Sequence, residues 1–225
     1  MSNLKRNNNT SDDSINNHAS FNKKTDKEQL FINKCEVLAN TILNLQPLYL
    51  NEEYDDKQRA YIETMVGAGL WYLSKGIWTG NMSISAIELY LPQPGEDKAK
   101  YTEDHEYPRK VSGMELLKRN WDDDVDVTQS LIHLYNNKYG KVNYVTKNEN
   151  SRLTKFQRVG VFTTPLQAYE NAEINLVEIT YEQLIKVKKC NGEVIEEILS
   201  TNISVMKMCP TAEIFLCVLR IKEKA

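Results

Sequence analysis

Asp104 and His105 stand side by side at the head of the run DHEYPRK, Asp104 to Lys110, and further along lies NYVTKNENSRL, Asn143 to Leu153. A carboxylate and an amide oxygen are hard ligands of the kind that Mg²⁺ or Mn²⁺ accepts. An imidazole with an ordinary pKa of about 6.5 is largely neutral at pH 7 and can take a proton from water. Arg109 and Lys110 follow directly, and Lys138, Lys141, Lys147, Arg152, Lys155 and Arg158 crowd the second run against the single acid Glu149. Positive charge at that density suits backbone phosphates, whose neutralisation dominates nucleic-acid affinity. The alternative for each of these side chains is a solvated helix face.

Asp104, His105 and Pro108 match in place the Asp-His-x-x-Pro motif of the HNH, or ββα-metal, nuclease family, and Asn143, Val145 and then Asn148 or Asn150 match its second motif approximately. The chain resembles that family over this middle stretch, and both flanks lie outside the resemblance. The resemblance implies His105 as general base for an attacking water. It implies Asp104 with Asn150 or Asn148 as ligands of Mg²⁺ (or Mn²⁺), and Asn143 as the residue that tethers the loop and orients the histidine. Arg109 would face the phosphate being cleaved, and Lys110, Lys147, Arg152 and Lys155 would contact nucleic-acid phosphates. Adjacent residues of an extended chain point to opposite sides, so a turn or bulge is expected to bring Asp104 and His105 to one site. The resemblance also requires the helices between Ser112 and Gly140 to be an insertion, and the second motif is too short to choose between Asn148 and Asn150.

Positioning such a site falls to elements that the periodicity outlines. Phe31, Cys35, Leu38, Ile42 and Leu45 form one face of an amphipathic helix that Pro47 should end. Ile62, Met65, Val66, Gly69, Leu70 and Leu73 share a face of a second helix, about 55–74, in which Gly67 and Gly69 permit close packing. A short helix is expected near 83–90, a loop or extended segment at 100–110, and a helix over 112–120. Asp126 or Thr128 can cap another through Leu134, with Gly140 a stop. KVNYV, Lys141 to Val145, reads as a strand that runs into a Thr146–Glu149 capping box. Thr164-Pro165 is a further helix start. Beyond it, 174–179 and 214–221 are strand candidates, and 181–189 is compatible with helix or strand. His133 and the three tryptophans, Trp71, Trp78 and Trp121, read as structural residues.

These elements imply a mainly helical α+β fold with a small central β-hairpin-plus-helix finger. The expected divisions are a disordered tail, 1–27; a helical substructure, 28–95; the HNH-like module with its helical insertion, 96–160; and an α/β extension packed on the same body, 161–225. At 225 residues and 41% apolar the chain can bury one sizeable core. Its four cysteines form no C-x-x-C pair, which speaks against a zinc ribbon or redox dithiol and for a cytoplasmic setting. No apolar run is long enough for a membrane span. A net charge of −3 means that any nucleic-acid surface must be local. The expected function is a DNA endonuclease, of restriction type, with RNA as the other substrate and a homodimer as a compatible state. The competing expectation is a non-catalytic interaction protein of immunity, antitoxin or adaptor type, presenting helices 28–90 to a partner.

Overall fold

The computed structural model describes residues 13–91 and 101–207, with side chains described for 26–91 and 101–202. The strand candidate at 214–221, together with Cys209 and Cys217, lies outside them. Helix α1 (Asp13–Leu50) enters the stretch expected as a tail and continues through Pro47. Proline removes one backbone donor, but Tyr49 beyond it is buried and donates its hydroxyl to Glu63 at 3.0 Å. Packing thus carries the helix a turn further than the local signal. Helix α2 (Asp56–Trp71) opens on a capping box from Asp55 and Gln58. Cys35, Leu38 and Ile42 of α1 pack with Ile62, Val66 and Leu70 of α2 as expected, while Met65 faces outward.

Helix α3 (Ile84–Glu88) and helix α4 (Arg109–Lys118) follow along the chain. Gly67 of α2 and Gly113 of α4 explain how α4 sits so close. A Cβ on Gly113 would stand 2.2 Å from the Glu63 carbonyl oxygen, and one on Gly67 would stand 2.1 Å from that of Arg109. Helix α5 (Val127–Leu134) is capped by Asp126 and passes into one π-helical turn, Tyr135–Tyr139, before Gly140. Leu116, Leu117, Trp121, Leu131 and Tyr135 complete the core with α1 and α2, so residues on both sides of the expected division at 95/96 share it. His133 is exposed.

The sheet is mixed and four-stranded, in the order β2-β3-β1-β4. Strand β1 (Ile77–Ser83) was not legible as a strand, because Gly80 and Asn81 interrupt its apolar pattern. Gly80 has φ 98°, a left-handed conformation that glycine adopts without strain, at an irregularity between Trp78 and Met82. Strand β2 (Thr102–His105) runs antiparallel to β3 (Lys141–Val145), with Asp104 opposite Asn143 and His105 opposite Val142. Strand β3 is parallel to β1, and β4 (Leu176–Glu178) is antiparallel to it. Helices α4 and α5 and the π turn lie between β2 and β3 in the chain.

Helix α6 (Lys147–Leu153) follows β3 with the Thr146–Glu149 capping box in place. Helix α7 (Pro165–Asn171) starts at Thr164-Pro165 as its sequence indicates. Tyr181–Lys188 is helical, forming α8, and α9 (Gly192–Lys207) closes the described chain. Met82, Val142, Tyr144, Val177, Leu184, Val187 and Ile195 make a second apolar cluster, and Val145, Leu153, Ala168, Tyr169 and Ile174 a third. The architecture is α+β and mostly helical. Among the described residues no helix is long and apolar enough to cross a membrane.

Candidate active site

A cavity of about 340 Å³ opens where the end of β2 meets the start of α4, the inner side of α6 and the end of α2. Glu103, Asp104, His105, Arg109, Lys110 and Asn150 line it together with Trp71, Pro108, Thr154 and Gln157. At about 30 Å³ per water, the space admits roughly eleven waters, enough for a hydrated ion and a phosphodiester group. The β2–β3 register runs without a shift through Asp104 and His105. The expected bulge is therefore absent, and Asp104 and His105, which alternate across the strand, meet different neighbours, Tyr169 and Trp71, while both border the cavity.

Asp104 is 5% exposed, and its carboxylate accepts from neutral donors. Gln157 Nε2 donates to its two oxygens at 3.1 and 3.2 Å, and the Tyr169 hydroxyl donates to Oδ2. Burial pushes this carboxyl above its ordinary value, and the bonds from Tyr169 and Gln157 offset only part of the rise. Burial likewise lowers the His105 imidazole, against a smaller opposite effect of the Tyr139 carbonyl 3.4 Å from Nδ1. The Trp71 ring stacks on the imidazole at 4.9 Å and 16°. With the proton on Nδ1, Nε2 keeps its lone pair, and the neutral imidazole can serve as a base.

Asn150 is placed by a chain of caps. Glu149, 3% exposed, accepts from the Thr146 amide at 2.8 Å and from the Ser83 hydroxyl at 2.6 Å. That same hydroxyl accepts from the Ala86 amide at 3.1 Å, so one serine joins the start of α3 to the start of α6. The next residue, Asn150, then faces the cavity in the first turn of α6, while Asn148 is exposed on the opposite side. Geometry thus separates the two asparagines that spacing left open.

The remaining expected residues divide. Asn143 is buried outside the cavity: its Oδ1 accepts from the Thr79 hydroxyl and its Nδ2 donates to Glu106 Oε1 at 3.3 Å. It therefore ties the side chain following His105 to β1, where a bond to loop backbone was expected. Arg109 sits at the cavity wall with its guanidinium 5.1 Å from the centre of the Trp71 ring, and Lys110 lies 3.7 Å from Glu63. Lys147, Arg152 and Lys155 do not line the cavity. Arg152 Nε donates to the Ala172 carbonyl at 3.2 Å, and the Lys155 ammonium stands 4.8 Å from the Phe156 ring centre.

From the sequence, Trp71 reads as structural, and neither Gln157 nor Tyr169 is singled out. Trp71 is 49% exposed, in contrast to the core role expected of it, whereas Trp121 is a core residue. Gln157 and Tyr169 carry no local signal, because they meet Asp104 only through the packing of α6 and α7.

Among the described residues no three His, Cys, Asp or Glu side chains gather to hold a metal. The cavity is lined by one buried carboxylate, Asp104, and by the amide side chains Asn150 and Gln157, the latter bound through Nε2 to Asp104. Mg²⁺ keeps several waters and is commonly held through one or two carboxylates plus substrate phosphate, so this donor set fits a hydrated Mg²⁺ or Mn²⁺ completed by substrate. No protein-family model, curated protein or solved structure matches the chain.

Proposed function

We propose that the chain is a metal-dependent DNA endonuclease of the HNH type, acting in a restriction setting. The observation that supports it most directly is one cavity lined by Asp104, His105, Asn150, Arg109 and Lys110. The chain order of β2, β3 and α6, an antiparallel pair followed by a helix, is the order the HNH finger uses.

Phosphodiesters resist hydrolysis because their charge repels nucleophiles. Mg²⁺ or Mn²⁺, when bound, supplies charge neutralisation at the phosphate and leaving oxygen. Asp104 and Asn150 would hold it, with Tyr169 and Gln157 keeping the Asp104 carboxylate in place. Neutral His105 takes a proton from water at Nε2 while its Nδ1 faces the Tyr139 carbonyl, and Trp71 holds the ring plane. Arg109 balances charge on the scissile phosphate. Asn143 and Glu106 fix the chain just after the base.

The test is cleavage of plasmid DNA with Mg²⁺ or Mn²⁺, stopped by EDTA and lost in His105→Ala with an unchanged circular-dichroism spectrum. An equally inert wild type and His105→Ala, across both metals and DNA or RNA substrates, would overturn the proposal.

One observation favours a non-catalytic interaction protein instead. An apolar groove of about 560 Å³ lies between α1 and α2, lined by Val37, Leu38, Thr41, Met65, Tyr72 and Leu73 among others, with Val37 and Tyr72 well exposed. Grooves of this kind seat partner helices. Inert protein by the assay above would leave this reading in its place.

A further inference from the structure

A second cleft, about 640 Å³, runs beside the Asp104–His105 cavity between α2 and α4, and Lys110 lines both. Lys110, Met114 and Lys118 face it from successive turns of α4, and Arg59 faces it from α2. At 1.5 Å per residue, Lys110 and Lys118 stand about 12 Å apart along the helix. Arg59 is a fixed charge: its Nε and Nη2 donate to the Tyr49 and Asn51 carbonyls at 3.2 and 2.9 Å. Lys118 is exposed and has no ion-pair partner among the described residues.

Two acids share the cleft and pair with two of its three cations, which leaves Lys118, among the described residues, as the cation free to meet phosphate. Glu63 is buried and accepts from Tyr49, with Lys110 at 3.7 Å, while Asp56 is fully exposed, 4.0 Å from Arg59. Met114 contributes an apolar patch between the two lysines, suited to a sugar or an unstacked base. The cations expected to bind phosphate on α6, Lys147, Arg152 and Lys155, line neither space.

We propose that this α4 face seats a single DNA strand leaving the Asp104–His105 cavity, so that the substrate is a polymer held several nucleotides beyond the reacting phosphate. The inference rests on the nuclease reading for its choice of ligand, and its test reads binding alone. Full-length His105→Ala protein is titrated into fluorescein-labelled single-stranded DNA, from about 2 to about 16 nucleotides long, and anisotropy is followed at several salt concentrations.

Affinity is expected to climb with length until the strand spans cavity and cleft, then to level. Adding Lys118→Glu should weaken binding of the longer strands about fivefold, and Lys118→Gln should lower the salt slope by about one. Lys155→Glu should change neither. Equal affinity in Lys118→Glu and the parent, with the fold intact by circular dichroism, overturns the proposal, as does a loss that follows Lys155 instead. RNA of the same sequence binding more tightly than DNA overturns the choice of polymer. Strand binding through Lys118 without plasmid cleavage by the wild type would leave the cleft and remove the chemistry. Cleavage with a harmless Lys118→Glu would do the reverse.

Discussion

Asp104 combines deep burial with neutral hydrogen-bond donors, which makes it a source of instability that a cation would relieve. Its carboxyl is held above the ordinary value when folded. The folded chain therefore takes up the proton more readily than the unfolded one, and the resulting stability is complete below the unfolded value and lost as pH rises through the folded one. At neutral pH the charged form is the disfavoured one. Asp104→Asn should accordingly raise stability at pH 7, read as a higher Tm, while abolishing cleavage. A lower Tm would show that the bonds from Tyr169 and Gln157 outweigh the cost of burying the charge. His105 shifts the other way, since burial lowers it. The acidic limb of the pH–rate profile should lie below the ordinary histidine value of about 6.5. A limb above that value would mean that a different group takes the proton.

At the scale of elements, α6 is aligned by the hydrogen-bonded link from Ser83 through Glu149 rather than by its own length. Removing the link should misplace Asn150 before it unfolds the protein. Glu149→Gln keeps the shape but weakens the charge-assisted bond, and Glu149→Ala removes a buried partner of both Ser83 and Thr146. A loss of about 1–3 kcal/mol is expected for Glu149→Ala by denaturant titration, with a smaller one for Glu149→Gln. The packing of α4 on α2 is equally testable, because a methyl group at Gly113 would enter the backbone of α2 at 2.2 Å from a carbonyl oxygen. Gly113→Ala should cost more than the roughly 1 kcal/mol by which alanine ordinarily improves on glycine in a helix. Since Arg109 and Lys110 ride on α4, it should also reduce DNA binding. A stabilised Gly113→Ala variant would refute the close approach.

Across the whole molecule, the site draws on elements that are remote in the chain. Trp71 comes from α2, His105 from β2, Asn150 from α6 and Tyr169 from α7, so ligation of the cavity should stabilise the entire fold. Mg²⁺ or Mn²⁺ at a hundredfold excess over its dissociation constant should add about 2.7 kcal/mol in wild type. That gain should vanish in Asp104→Asn, and calorimetry with and without EDTA reads both. An identical metal effect in wild type and Asp104→Asn would place the cation elsewhere. The parallel pairing of β1 with β3 joins strands that are remote in the chain, and such non-local contacts form slowly.

The amino-acid sequence alone determined what depends on neighbours a few residues apart. The amphipathic faces of α1 and α2, strand β3, the Thr146–Glu149 capping box and the Thr164-Pro165 start are local patterns whose hydrogen bonds and apolar spacing close within a turn or two. The pairing of Asp104 with His105 was visible for the same reason, as a dipeptide. Strand β1, interrupted by Gly80, was not visible, because its conformation is imposed by the partners on either side. Nor was the continuation of α1 past Pro47, which the burial of Tyr49 sustains. Only the tertiary structure turned Asn150 inward and Asn148 outward, put Gln157 and Tyr169 on the Asp104 carboxylate, and brought Trp71 against His105. Burial and hydrogen bonding between distant segments decide those placements, and no spacing along one chain encodes them.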